Sequence, residues 1–389
     1  MAIPLSYNMR NVLQRPISTL TTAVGIGLTV AIFIGALALT SGFRAAMLST
    51  GSSDNAIALR KGADSELSSG IGRDAANILR AHPDVALGPD GRPLASADLV
   101  VVTNKQRLGQ PGSSNVTVRG VDAEALVLRR EIRIVAGRMF TPGTDEVIAG
   151  RRIARRFANC AIGDHIRFGQ RAFTVVGQFG AGGSAFESEI WGDNPVIMPA
   201  LQRDDVFQSV TFRMRDPSRF AALKQELEAD PRLQIQLKRE RDFYDEQSGL
   251  LARVVLPLGI FITIIMAVGA VFGAMNTMYA AVGSRTREIA TLLVLGFSPL
   301  AILMSFLFES LFLALIGGAI GCLLALPLNG ITTSTTNFQS FSEVAFAFAV
   351  TPAALGSGLI FAALMGLVGG FFPALRAARQ TIAISLRGA

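Results

Sequence analysis

The chain has 389 residues, half of them hydrophobic, with a mean hydropathy of +0.43 and only 17% charged residues. That is too apolar for an ordinary water-soluble chain and predicts membrane segments. The net charge is +7, yet eight of the 36 Lys and Arg and only three of the 29 Asp and Glu fall outside Arg44–Leu250; most of the excess therefore lies beside the apolar runs, where it reports membrane orientation and not a nucleic-acid partner.

The first apolar run is Ile17 to Phe43. Arg10 and Arg15 precede it, and Ala36-Leu37-Ala38 resembles a small-residue cleavage site. A signal peptide has an apolar stretch of only about 7–15 residues, so the run reads as a membrane span. Three more follow, at Val254–Val282, Leu300–Leu328 and Ala353–Leu375. Each exceeds the roughly 20 residues that cross a bilayer core.

Between the first two spans lies a large polar region, residues 44–250. Cys160 sits there and Cys322 inside an apolar run, so no disulfide framework is expected. His82 and His165 have no zinc-ligand spacing, and no metal is expected. "NAIALRKG", "ADLVVVTN", "SNVTVRGV" and "RAFTVVGQF" read as short strands. "DPSRFAALKQELEADP" reads as a helix with Phe220, Leu223 and Leu227 on one face. Arg151, Arg152, Arg155 and Arg156 share one side of a further helix: a solvated face, or a docking site for an anionic partner. The lone Trp191 is a core candidate. From Gln236 to Leu250 the chain is charged and helix-compatible, a stalk that could continue span two outward, with Pro257 marking a kink.

On a helix, Ile289, Leu292 and Leu293 share one side, with Arg285, Arg287 and Glu288 at its start. Gly296 suits the left-handed position that ends a helix. Ser298 and Pro299 suit the cap and first position of the next one. Residues 284–297 thus encode a short surface helix, a sharp stop and then span three. Glu309, about ten residues into span three, is costly in lipid and needs a partner the sequence does not name. Gly269/Gly273, Gly317/Gly321 and Gly366/Gly370 are small-xxx-small pairs, fit either for local helix packing or for a dimer contact. Phe338, Phe341, Phe346 and Phe348, between spans three and four, fit membrane insertion, a gate, or packing against the stalk.

Arg287-Glu288-Ile289-Ala290 and Leu295-Gly296 resemble the "REIAxLRxLG" coupling-helix motif of MacB-like and FtsX-like ABC permeases. "FLFESLFLALIGGAIGCLLALPL" is similar to the family's third span, and "GLVGGFFPALRAARQTIAISLR" to its fourth span and tail. "GRMFTPGTDEVIAGRRIARRF", "IGDHIRFGQRAFTVVGQF" and "NPVIMP" resemble its extracytoplasmic core domain, and "NVLQRPISTLTTAVGIGLTVA" its first span. Leu293 departs where the family often has Arg, and Ile382 where it usually has Pro.

The resemblance implies an α-helical four-span membrane protein with a large mixed α/β extracytoplasmic domain between spans one and two. It divides the chain into 1–43, 44–250 and 251–389. It implies a permease subunit of the mechanotransmission type, with Arg285, Arg287, Glu288, Ile289, Leu292 and Gly296 coupling to an ATPase. The partners it implies are an ABC ATPase, a second permease copy or a homologous permease, a periplasmic adaptor protein and membrane lipid. ATP and Mg belong to the ATPase: none of the four lysines, Lys61, Lys105, Lys224 and Lys238, sits in a phosphate-binding loop. With about 16 residues before span one, the ATPase is expected on a separate polypeptide, and this chain is not expected to be an enzyme. The positive-inside rule puts both termini and the 284–297 segment on the cytoplasmic side of the inner membrane. The alternative is an FtsX-like signalling permease that controls an extracytoplasmic cell-wall hydrolase.

Overall fold

The computed structural model describes residues 16–109, 111–203 and 205–380. Arg10, Arg15, Ile382 and Arg387 lie outside them. The chain divides into two compact units. The membrane unit draws on residues up to Ser41, on Arg253–Ile331 and on Phe348 onward; the outer unit comprises Gly42–Ala252 and Thr332–Ala347.

Five helices carry the membrane unit: α1 (Pro16–Leu48), α2 (Glu240–Ser284), α3 (Thr286–Val294), α4 (Pro299–Ala325) and α5 (Pro352–Ala378). All but α3 are long and apolar enough to cross a membrane. Their contact surfaces are made by small residues. Added side-chain carbons at Gly317 and Gly321 of α4 would lie 2.8 Å from Ala23 O and 2.6 Å from Gly27 O of α1. One at Gly366 of α5 would collide with Ala314 Cβ of α4, and one at Gly370 of α5 with the Ser310 hydroxyl of α4. Close backbone approach of this kind supplies the dispersion contacts that hold helices together in lipid. Ile26, Val30 and Ile34 of α1 then pack with Ala314 of α4 and Ala362 and Met365 of α5. Helix α2 is the exception: 6% of its apolar window is buried, against 33–44% for the other three.

The turn from α3 to α4 follows the sequence closely. Gly296 takes φ +89°. Its N–H donates to Leu293 O at 3.1 Å, and Phe297 N–H donates to Leu292 O at 3.1 Å. These are the paired bonds of a glycine-terminated helix. Ser298 Oγ then accepts from Ala301 N at 3.2 Å and Pro299 opens α4.

The outer unit holds strands β1 (Asn55–Arg60), β2 (Ile71–Gly72), β3 (Ala95–Gln106), β4 (Ser113–Val121), β5 (Arg133–Gly137), β6 (Glu146–Gly150) and β7 (His165–Phe168). It continues with β8 (Arg171–Gly180), β9 (Glu189–Asp193), β10 (Val206–Phe207), β11 (Ser209–Arg213), β12 (Ile235–Arg239), β13 (Thr332–Thr336) and β14 (Glu343–Ala347). The main sheet runs β12-β1-β11-β3-β4-β9-β6-β8-β5, with β7 paired to β8; β2–β10 and β13–β14 form separate two-stranded ribbons. Among the described residues only β4–β9 and β6–β8 are parallel pairs. Alternating Val, Ile, Leu and Phe side chains put one apolar row on the helix-covered face, where Leu99, Val118, Phe173, Val175 and Phe212 are fully buried with Leu223 and Leu227 of helix Phe220–Ala229.

One expectation fails here. Gln236–Arg239, read as part of a helical stalk, lies in strand β12, paired along β1 from Ala56 to Leu59. Ile235 and Leu237 alternate inward, and an available sheet edge overrides the segment's helix compatibility. The helix begins at Glu240, with Glu240 and Asp242 in its first turn, where negative charge suits the positive end of the helix. It runs on through Pro257 to Ser284.

Candidate functional site

Helix α3 has two unlike faces. Ile289 is buried with Met278, Val282, Ile302, Phe306, Ala374 and Ala377, and Leu293 leans on the same cluster. Leu292 is half-buried. Arg287, Glu288, Thr291 and Gly296 are exposed. So are Val294 and Leu295, at 62% and 63%. The exposed face therefore joins two charged side chains, Arg287 and Glu288, to two large apolar ones. Leu295 is part of the coupling-helix motif in the sequence, whereas Val294 falls off the apolar stripe and is not singled out there.

Arg285 turns the other way. Expected on the ATPase-facing surface, it is buried, and its Nη1 lies 3.0 Å from Oε2 and 3.3 Å from Oε1 of Glu309. Both side chains are 8% exposed. The acid in span three thus has its partner: the residue that precedes α3. Pairing offsets the cost of holding either charge in an apolar interior, and it fastens the start of α3 to the middle of α4. Replacing Glu309 by Gln is expected to leave a guanidinium in apolar surroundings, at a cost of about 2.5–3.5 kcal/mol on the insertion scale. The purified chain should melt at a lower temperature, and the double exchange Arg285→Glu with Glu309→Arg should restore much of the loss. An unchanged melting temperature in Glu309→Gln would show that the pair holds nothing.

The three glycine pairs, each fit in sequence for local packing or for a dimer contact, separate into two classes. Gly317 and Gly321 are spent within the chain, against α1. Gly366 and Gly370 are spent in the same way against α4: both are buried, and Ala314 and Ser310 occupy the space beside them. For Gly370 the dimer reading is therefore corrected to packing inside the chain, because the Ser310 side chain already fills the face that a second copy would need. The same correction holds for Gly366, Gly317 and Gly321. Added side-chain carbons at Gly269 and Gly273 of α2 would meet nothing within 4 Å. They line a groove with Thr22, Gly25, Thr29 and Thr277 of about 460 Å³, floored by a 2.7 Å hydrogen bond between the Thr22 and Thr277 hydroxyls.

In the outer unit, charge concentrates at the root of α2. Arg119 of β4 is fully buried and donates to both oxygens of Glu66 at 2.8 Å. It donates to both oxygens of Glu189 at 2.8 and 3.0 Å, and to Asp98 at 3.1 Å. Arg129 donates to Asp98 at 2.5 Å, and its Nε lies 3.8 Å from Oε1 of Glu240, the first residue of α2. Glu240 in turn accepts from Ser52 N–H at 3.0 Å and Asn55 Nδ2 at 2.9 Å. Both guanidiniums stand over the Phe186 ring, at 5.4 and 5.1 Å, and Arg129 also over Trp191 at 5.3 Å. Such stacking offers a desolvated cation a negative ring face. Trp191 is fully buried, in the core as the sequence suggests, and its Nε1 donates to Glu189 at 2.7 Å. Burial pushes the Glu240 carboxyl above its ordinary range against the pull of Arg129. Burial acts on Glu66 in the same direction, but the charge and hydrogen bonds of Arg119, with the Ser209 hydroxyl, outweigh it and hold that carboxyl low.

Two further features fix the start of α2. A side-chain carbon at Gly51 would lie 2.6 Å from Glu240 O, so only glycine lets the loop after α1 cross there. Arg44 at the end of α1 grips Asp245 of α2 through two bonds of 2.8 and 3.0 Å.

The four arginines after β6 do not form one solvated face. Arg155 and Arg151 are exposed, whereas Arg152 and Arg156 are partly buried. Arg151 and Arg152 pair with Glu187 at 3.0 and 3.2 Å. Arg156 pairs with Glu343 of β14 at 3.0 Å. The sequence could not show this, because both carboxylates come from distant segments. The Phe-rich loop also divides: Phe346 is buried against Phe43 at 5.4 Å, whereas Phe338 and Phe341 are exposed.

Two family models match the chain: the MacB-like periplasmic core domain over residues 19–230 and the FtsX-like permease C-terminal region over residues 260–382. Among curated relatives, the macrolide export ATP-binding/permease protein MacB 1 of Aeromonas hydrophila subsp. hydrophila is 27% identical over 284 residues, covering 68% of this chain and 42% of that protein. The MacB of Burkholderia pseudomallei is 25% identical over 362 residues, covering 83% of this chain and 53% of that protein. The chain spans about half the length of the curated relatives it matches. Among solved structures, the periplasmic region of MacB from Actinobacillus actinomycetemcomitans aligns with 50% of this chain and 92% of its own, at 12% identity and a TM-score of 0.38. The extracellular domain of the noncanonic ABC-type transporter YknZ from Gram-positive bacteria aligns with 47% and 99%, at 14% identity and a TM-score of 0.35.

Proposed function

Because the chain belongs to the MacB-like periplasmic core domain family and carries an FtsX-like permease region, we propose that it is the permease of an ABC transporter of the mechanotransmission type, with its outer unit on the extracytoplasmic side. The observation that carries this reading is the divided α3: an inner side anchored by Ile289 and the Arg285–Glu309 pair, and an outer side on which Arg287, Glu288, Val294 and Leu295 are exposed. That partner is an ABC ATPase that binds ATP and Mg outside these 389 residues. Movement of α3 passes to the spans, and α2 carries it to the outer unit, where it drives export or extraction of a substrate. A second permease, a copy or a homologue, covers the open Gly269/Gly273 face of α2, which would otherwise leave a small-residue groove to lipid.

The excess of Lys and Arg beside the spans supports an arrangement with α3 and both termini in the cytoplasm. The test is co-purification. The chain taken from its native membrane should carry an ATPase, and Glu288→Lys should weaken that association, since a like charge opposed across an interface costs several kcal/mol. Undiminished association together with normal ATPase stimulation in the variant would remove α3 as the docking surface.

A further inference from the structure

The geometry points to the β13–β14 ribbon, residues 332–347 between spans three and four, as a second transmission link to the outer unit, fastened there by Arg107 and Arg156 on Glu343. This rests on the mechanotransmission reading and adds to it a route that bypasses the membrane-spanning part of α2.

The ribbon is covalently continuous with α4 and α5, yet it belongs to the outer unit. Its fastening is specific. Glu343 is 4% exposed and accepts from Arg107 Nη2 at 2.5 Å, with Arg156 Nη2 at 3.0 Å. Arg156 also donates to Ser334 Oγ at 2.5 Å, so one guanidinium holds both strands. Arg152 donates to Ala345 O, and Ala345 N–H donates to Ser188 Oγ at 3.0 Å. At the turn, Asn337 Nδ2 donates to Gln247 Oε1 of α2 at 3.0 Å, both residues being buried.

Burial would raise the Glu343 carboxyl. Hydrogen bonds from Ser334, Ser114 and Arg107, with the charge of Arg156, hold it below the ordinary range instead, so the fastening is an ionised pair at neutral pH. A buried carboxylate shared by two guanidiniums is costly to part once one partner leaves. Such a joint resists being pulled where an exposed loop would yield.

The path is short. Helix α3 ends at Val294, α4 starts at Pro299, and a three-residue turn of 3₁₀ helix, Leu326–Leu328, leads from α4 to the ribbon. The Arg285–Glu309 pair fixes α3 to α4 at the other end. A displacement of α3 is therefore delivered to Glu343 through one helix and one ribbon, in parallel with α2.

The test uses the full chain with its ATPase in lipid, in a Cys160→Ala, Cys322→Ala background, with spin labels at Gln225→Cys and Ala353→Cys. ATP should shift the distance between the labels. Slackening the ribbon with Gly-Ser-Gly-Ser after Gly330 and again after Val350 should reduce the shift while α2 is intact. The same insertion after Gly249 in α2 should leave a remainder, and all insertions together should leave less than either set alone, α1 remaining continuous from Pro16 to Leu48. Glu343→Arg should act like the slack ribbon at unchanged ATP turnover, and adding Arg107→Glu with Arg156→Glu should restore the shift. If slack in the ribbon changes nothing while the α2 insertion alone abolishes the shift, the ribbon is no link and the mechanotransmission reading stands. If no insertion changes the shift, the ribbon is no link and the proposal falls; if ATP produces no shift at all, the mechanotransmission reading falls as well.

Discussion

Replacing Arg119 by Met is expected to destabilise the outer unit by about 3–5 kcal/mol, the range seen when one partner of a buried ion pair is removed. The guanidinium serves three buried carboxylates at once, Glu66, Asp98 and Glu189. Methionine fills most of its volume and returns none of its five donors. Trp191 reports the change directly, since its indole is bonded to Glu189 and stacked near Phe179 and Phe186. Denaturant unfolding of the full-length chain, followed by the fluorescence of this single tryptophan, should move to markedly lower denaturant. Arg155→Ala, which removes an exposed guanidinium, should stay within about 0.5 kcal/mol of the parent.

The Arg119 effect should also depend on pH. The folded-state pKa of Glu66 is depressed, so its contribution is present above the unfolded value of about 4.3 and is lost as pH falls through the folded one. Removing Arg119 abolishes that contribution, so the gap between parent and Arg119→Met should narrow on acidification. A gap that stays constant down to the acid limit would mean that the network is not held by charge.

How far this was legible in the sequence varies by segment. The spans were, because length and apolarity decide them without tertiary help. The end of α3 was, because glycine at a left-handed position and Ser-Pro at a helix start act within one turn of chain. The direction of Arg285 was not. A residue just before a helix can point to solvent or back into the spans, and only Glu309, 24 residues on, decides between them. Nor was the use of the glycine pairs: spacing alone gives Gly370 and Gly273 the same choice of neighbours, and only the position of Ser310 closes one face while the other stays open. The network at the root of α2 was hidden for a similar reason: Glu66, Asp98, Arg119, Arg129, Glu189 and Glu240 come from separate strands and loops, each an ordinary charge in its own neighbourhood. The ribbon is an intermediate case. "ITTSTT" is rich in β-branched residues and "EVAFAFAV" alternates small and large side chains, but nothing in either segment names the other as its partner, and Thr332–Thr336 pairs with Glu343–Ala347. At Gln236–Arg239 local propensity pointed to helix and the free edge of β1 prevailed.

The central claim is that the spans transmit movement and do not themselves form a substrate path, and α2 is where it can be broken. The helix runs from Glu240 to Ser284 without interruption, and its first turns are held by Ser52 and Asn55 on Glu240, Arg44 on Asp245 and Asn337 on Gln247. A Gly-Gly-Ser-Gly insertion after Gly249 leaves those holds and α3 untouched. Gly249 has open space around it, so the added residues should be accommodated. Each added glycine costs the helix about 1 kcal/mol relative to alanine, so the segment should bend and absorb displacement. Export in the native host and ATP turnover by the co-purified complex should then be measured on the same variant. The account predicts that ATP is still hydrolysed while export falls steeply. Full export with the insertion in place would contradict it and return the substrate path to the interior of the spans.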